Sequence, residues 1–309
     1  MAALTPVAAP HERRIGPWLV ALGAALWGTE SAWRIPLLDK LPADTIVFWE
    51  HAIMVVLALP LIVPRLGELR RVRKQTIAWL IFSGVAGSAV GAVLFTLALA
   101  NGNKTVVNVV LNIQPVLSTT AAFFFFGDRI ARRFYPWAAL AVAAGAVFAI
   151  DDLSTPWAVD AGVGYALGCA FFWGMSTVAG RGVMVEMSLT LASGLRVVIG
   201  LVSMTVVLLF EGRLNAQGIL PPELDRDAAL GLVGLATLSG GIPLMIYFKG
   251  LQLTRASTAG YFEMVQTLAA VLITWGWFGA SLAWHQVLAG VVLLVAVTLV
   301  QRAQQATEL

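Results

Sequence analysis

The side chains able to do chemistry in this chain are few, and they sit in apolar surroundings. Thr105, Asn108, Asn112, Pro115 and Thr119 recur at three- and four-residue steps, so they share one face of a helix. An amide both donates and accepts hydrogen bonds, so Asn108 and Asn112 suit a small molecule carrying a carboxylate and an ammonium group. The alternative is hydrogen bonding between helices, at about 1 kcal/mol each. Pro115 has no N–H to offer the carbonyl of Leu111, which is expected to free that acceptor. Gln114 points to a different face and is expected to bond across helices. Farther on, Tyr261, Glu263 and Gln266 interrupt another apolar run. A carboxylate there marks a site by default, so Glu263 is the candidate proton-sensitive or ammonium-binding group. Its bland alternative is an ion pair with Lys249. Trp27 and Trp173, extended by Phe95 and Tyr247, are expected either to form aromatic walls or to pack. Glu30 and Arg34 follow Trp27 at helical spacing, which places Glu30 at the outer end of such a site. Glu50 and Arg196 are read as structural, neutralising each other or anchoring separately.

The elements that must position these groups are long apolar runs. A helix needs about 20 apolar residues to cross about 30 Å of hydrocarbon. Ten stretches qualify: Trp18–Ile35, Thr45–Val63, Thr76–Ala100, Thr105–Phe126, Tyr135–Ile150, Gly162–Arg181, Leu189–Phe210, Ala228–Gly250, Ala256–Phe278 and Trp284–Gln301. The 309 residues are 59% hydrophobic and only 12% charged, too few charges to cover a soluble fold. The net charge of +3 lies in short loops, which points to membrane orientation rather than nucleic acid. Arg13, Arg14, Arg65, Arg70, Arg71, Arg73, Lys74, Arg129, Arg132 and Arg133 fall on one side of alternating loops. Asp151, Asp152, Asp160, Glu223, Asp225 and Asp227 fall on the other. Both termini are therefore expected in the cytoplasm. The run after Arg13 and Arg14 lacks a clean cleavage site and reads as a retained first span. The single cysteine, Cys169, and the scattered His11, His51 and His285 make no metal motif. No metal and no cofactor are expected. His11 and His285 are read as surface or interfacial residues.

The chain repeats itself. Leu26-Trp27-Gly28 recurs as Phe172-Trp173-Gly174, 146 residues on, and at that offset Glu50 falls on Arg196. Later the offset is 152, which places Phe95 on Tyr247 and Gly91 on Pro243. Each half holds five spans. An odd number makes the second half enter from the opposite side, as in secondary transporters with inverted repeats. Gly91, Pro115, Gly240 and Pro243 weaken helices at such places and are candidate hinges. Gly87-x-x-x-Gly91 and Gly164-x-x-x-Gly168 also allow close packing of helices. The fifth and tenth spans carry almost no polar groups and are expected to face lipid or a second copy of the chain. The expected division is a cytoplasmic segment 1–17, a first repeat 18–150, an outer linker 151–160, a second repeat 161–301 and a cytoplasmic tail 302–309.

The Trp-Gly early in each half, Pro115 in the fourth span and Gly127-Asp128 closing it resemble the EamA-type transporters of the drug/metabolite transporter superfamily. The family's Gly-Glu is Gly-Asp here, and Gly279-Ala280 in the second half lacks the acid. More narrowly, the chain is similar to the YddG-type aromatic amino-acid exporters. The resemblance implies an all-α polytopic membrane protein of ten helices, two five-helix inverted repeats around a central cavity. It also implies a secondary transporter of a small molecule, exporting aromatic or other hydrophobic amino acids across the bacterial inner membrane. Trp27, Glu30, Asn108, Asn112, Trp173, Tyr247, Tyr261 and Glu263 are the candidate substrate-binding residues. Another superfamily exporter and a membrane-embedded lipid-modifying enzyme are the alternatives. No acid or histidine cluster favours the enzyme, and no Gly-x-x-x-x-Gly-Lys-Ser/Thr motor motif is present.

Overall fold

The structure is a computed structural model and describes residues 10–126, 130, 132–148, 150, 160–221, 223–253, 265–279 and 281–305. Tyr261 and Glu263 lie outside them. All regular elements among the described residues are helical. Ten rods follow in order. α1 has two arms, Pro10–Gly28 and Glu30–Leu38. α2 is Ala43–Ile62, and α3 is Lys74–Asn101 with a π-helical stretch Gly84–Gly91. α4 joins Lys104–Val110 to Gln114–Phe126, and α5 is Phe134–Phe148. α6 is Ala161–Met184 and α7 is Leu189–Phe210. α8 joins Arg226–Ala236 to Ile242–Leu253 through the π-helical turn Thr237–Gly241. α9 is described over Val265–Gly276, and α10 is Trp284–Gln305. Six described helices are long and apolar enough to cross a membrane, and α5, α9 and α10 are shorter apolar helices. Side chains such as Phe124, Phe210, Trp275 and Leu272 are exposed on the outside, as a protein solvated by hydrocarbon requires.

Chain direction follows from contacts at the two ends. At one end Arg73, before α3, pairs with Glu186, after α6. Glu68 accepts from the backbone N–H and hydroxyl of Ser188 at 2.7 and 2.8 Å. The Arg73 backbone N–H, then its side chain and the Thr76 hydroxyl, hold the Glu186 carboxyl below the ordinary range. At the other end Lys40, after α1, pairs with Asp225 at 2.7 Å, and Asp44 pairs with Arg213. So α1 finishes at the end where α6 begins, and the two halves run in opposite senses through the layer.

α5 and α10 pack on one another along one face. Ala138, Ala141 and Ala144 meet Leu293, Ala296 and Val297 in one buried cluster, the small residues letting the backbones approach. Their outer faces remain exposed. His285 is not interfacial as expected: it is buried, with Nε2 2.8 Å from the carbonyl of Ile150. A backbone carbonyl buried in apolar surroundings needs a donor, and the imidazole supplies one to Ile150. Gly102 and Gly162 touch backbone to backbone where α3 ends and α6 starts. A Cβ on Gly102 would lie 2.9 Å from the Gly162 Cα.

Candidate functional site

α1 breaks at Thr29. The Thr29 hydroxyl donates to the Leu26 carbonyl at 2.6 Å and lies 2.9 Å from Ser239 Oγ in the α8 π turn. The second arm then presents Glu30 and Arg34 one turn apart. Arg34 is 1% exposed and is held on every side. Its guanidinium bonds Glu30, including Nε to Oε1 at 3.0 Å, and its Nη2 donates to Glu50 Oε2 at 2.7 Å. Nη1 donates to Thr96 Oγ1 at 2.7 Å, and Cζ stands 5.7 Å from the centre of the Phe95 ring. One cation thus joins α1, α2 and α3 in the apolar interior. Glu50 and Arg196 do not neutralise each other; Arg34 takes Glu50 instead. Glu30 keeps Oε2 without a hydrogen bond among the described residues, and its side chain is 16% exposed.

The α4 amides turn inward. Asn108 Nδ2 donates to Ser31 Oγ at 3.2 Å and to the Lys104 carbonyl at 2.8 Å. Asn112 Nδ2 donates to the Asn108 and Val109 carbonyls, and its Oδ1 accepts from Thr267 on α9 at 2.8 Å. These bonds tie α4 to α1 and α9. The Leu111 carbonyl is not freed by Pro115. A short 3₁₀ turn, Leu111–Ile113, tightens the helix so that the Gln114 N–H takes it.

The aromatic residues pair across the repeat. The Trp27 and Tyr247 ring centres lie 4.7 Å apart, and those of Phe95 and Trp173 lie 5.4 Å apart. Trp27 matches Trp173 and Tyr247 matches Phe95 in the repeat, so one contact is the image of the other. Each pair adjoins a π-helical stretch, Gly84–Gly91 in α3 and Thr237–Gly241 in α8, which are repeat counterparts too. Such stretches inside an α-helix loosen its ladder and occur often at functional sites. The hinge candidates Gly91 and Gly240 belong to them, and Pro243 lies two residues past the second. Gly91 has a second reason to be glycine: a Cβ would collide with the Trp173 indole. Gly164 meets nothing, so its glycine pair is not a packing seam along its length.

Sequence reasoning missed two features. Arg34 was visible only as a residue one turn from Glu30. The sequence reads Arg196 as structural; in the fold its Nε donates to Ser88 Oγ at 3.1 Å in the α3 π stretch and no carboxylate among the described residues joins it. The absence of an acid at the Arg34 counterpart was the available signal. Two apolar clefts, about 360 Å³ between α4 and α5 and about 450 Å³ between α5 and α10, are lined by none of these groups.

Comparisons with known proteins agree with this architecture. A riboflavin transporter, ImpX, of Fusobacterium nucleatum is 22% identical over 291 residues, covering 91% of this chain and 96% of the relative. A protein of known crystal structure shares the fold with a TM-score of 0.60 at 15% identity, over 96% of this chain and 99% of that one. The EamA-like transporter family matches residues 14–150 and again 160–302, one match for each five-helix half. A multi-pass helical protein matched twice along nearly its whole length in this way belongs to the EamA-like transporter family.

Proposed function

We propose that the chain is a secondary transporter working by alternating access, and that it exports aromatic or other hydrophobic amino acids across the bacterial inner membrane. The observation that carries this reading is the mirrored pair of aromatic contacts, Trp27 with Tyr247 and Phe95 with Trp173, set against π-helical breaks in α3 and α8. Aromatic surfaces stabilise a planar apolar solute by about 25 cal/mol per Å² removed from water. The open oxygen of Glu30 supplies an acceptor for its ammonium. The π stretches are the places where each half can bend. Purified protein in liposomes should move radiolabelled phenylalanine or tryptophan several-fold faster than glutamate. Faster movement of a charged or phosphorylated solute would refute the substrate class. A flavin-like planar solute is the second reading, favoured by the relative that is a riboflavin transporter. Riboflavin belongs in the same flux assay, and a rate above that of tryptophan would select it.

Orientation belongs to the same proposal. The basic end that carries Arg65, Arg70, Arg71, Arg73 and Lys74 is assigned to the cytoplasm with both termini. Gln75 and Glu223 are exposed at opposite ends. Cysteines placed at these two positions should react with an impermeant maleimide from opposite faces of intact cells and inverted vesicles. Reaction of both from one face would overturn the orientation and the inverted repeat together.

A further inference from the structure

Arg196 and Glu50 occupy the same place in the repeat, and their surroundings differ in one decisive way. In the first half Glu30, Arg34 and Glu50 satisfy one another. The repeat counterparts in the second half are Ser176, Gly180 and Arg196. The second half thus carries an arginine at the place of the acid Glu50, and no acid at the places of Glu30 and Arg34. Arg196 lies seven residues into α7, about 10 Å along the helix at 1.5 Å per residue. Among the described residues its one hydrogen bond is Nε to Ser88, no carboxylate lies within 4.0 Å, and its Nη groups donate to nothing. An ionised group left so at membrane depth is costly and marks a site. The neighbourhood is small and polar: Ser83 and Ser176 lie 2.9 Å apart, and a Cβ on Gly180 would meet nothing nearer than 3.9 Å.

The cation and an aromatic ring converge on one residue. Trp173 Nε1 donates to the Gly87 carbonyl at 3.0 Å. A Cβ on Gly87 would stand 2.5 Å from Arg196 Nη2. Gly87 therefore has an indole N–H on its carbonyl, and Ser176 together with an Arg196 Nη2 that makes no hydrogen bond among the described residues beside its Cα. A guanidinium presents parallel N–H donors whose spacing matches a carboxylate. We propose that Arg196 is the anion-binding residue of the substrate site, its Nη groups taking the carboxylate of a solute whose ring lies against Trp173. This rests on the aromatic-solute reading given above and adds the group that recognises the acid.

Two measurements test it on the full chain. In proteoliposomes, Arg196→Gln should lower L-phenylalanine flux at least about ten-fold, with Arg196→Lys intermediate because it keeps charge and loses the fork. In detergent, L-phenylalanine and indole-3-acetate should raise the melting temperature of the wild type more than phenylalaninamide and indole-3-acetamide. That preference for acid over amide should vanish in Arg196→Gln. If Arg196→Gln does not fold, Arg196→Lys is read instead and should bind the acids at least about three-fold more weakly with the amides unchanged. A preference that survives substitution, or no preference in the wild type, overturns the anion site. Wild type that ignores phenylalanine but is stabilised by indole-3-acetate through Arg196 overturns the amino-acid reading and leaves the anion site standing. Phenylalanine flux unchanged in Arg196→Gln does the reverse.

Discussion

Arg34→Met is expected to destabilise the protein by about 3–5 kcal/mol, because it strands Glu30 and Glu50 without their shared counter-charge. The loss comes from the charges left behind more than from the bonds removed. A buried ion cluster is itself of little net worth against a well-packed apolar replacement. Adding Glu30→Gln and Glu50→Gln to Arg34→Met should therefore restore most of the lost stability. Thermal unfolding of the full chain in detergent, followed by circular dichroism, reads both variants. An Arg34→Met protein with an unchanged transition would show that this cluster is not shielded from water.

The second large effect is expected at the paired aromatics. Trp173→Ala removes the ring that rests on Phe95 and Gly91 and the N–H that holds the Gly87 carbonyl. A truncation of this kind in a packed interior costs about 3–5 kcal/mol in water-soluble proteins. In a membrane the transfer part shrinks, since lipid is as apolar as the interior, and the lost packing remains. Transport, normalised to inserted protein, should fall at least about ten-fold. Trp173→Phe keeps most of the surface and gives up the hydrogen bond, worth about 0.5–1.5 kcal/mol, so it should retain much of the flux. Trp27→Ala should behave as Trp173→Ala does, since Trp27 makes the mirrored contact with Tyr247. Full flux in both alanine variants would reduce these residues to packing.

The division between sequence and tertiary structure is visible residue by residue. The rods were legible because hydrocarbon allows a spanning chain few alternatives to a helix, and length and apolarity mark such helices directly. Leu189–Phe210 has the bounds that hydropathy alone assigns it. The repeat was legible for a related reason: Trp27 and Trp173, or Gly91 and Pro243, carry matching positions in their spacing. Partner choice was not legible. Glu50 could meet Arg196 by repeat position or Arg34 by proximity in the chain, and only the packing of α1 on α2 and α3 makes it Arg34. The polar spacing along α4 is in the sequence, but whether Asn108 and Asn112 look into a site or at Ser31 and Thr267 depends on how α4 is rotated against α1 and α9. Pro115 announces a missing N–H. The 3₁₀ turn that lets Gln114 supply another is a local adjustment that the sequence does not encode at one position. Hydropathy and spacing report each helix as a cylinder with a pattern. Which groups end up paired, and which are left like Arg196 without an acid, is decided by the rotation and depth of several cylinders at once.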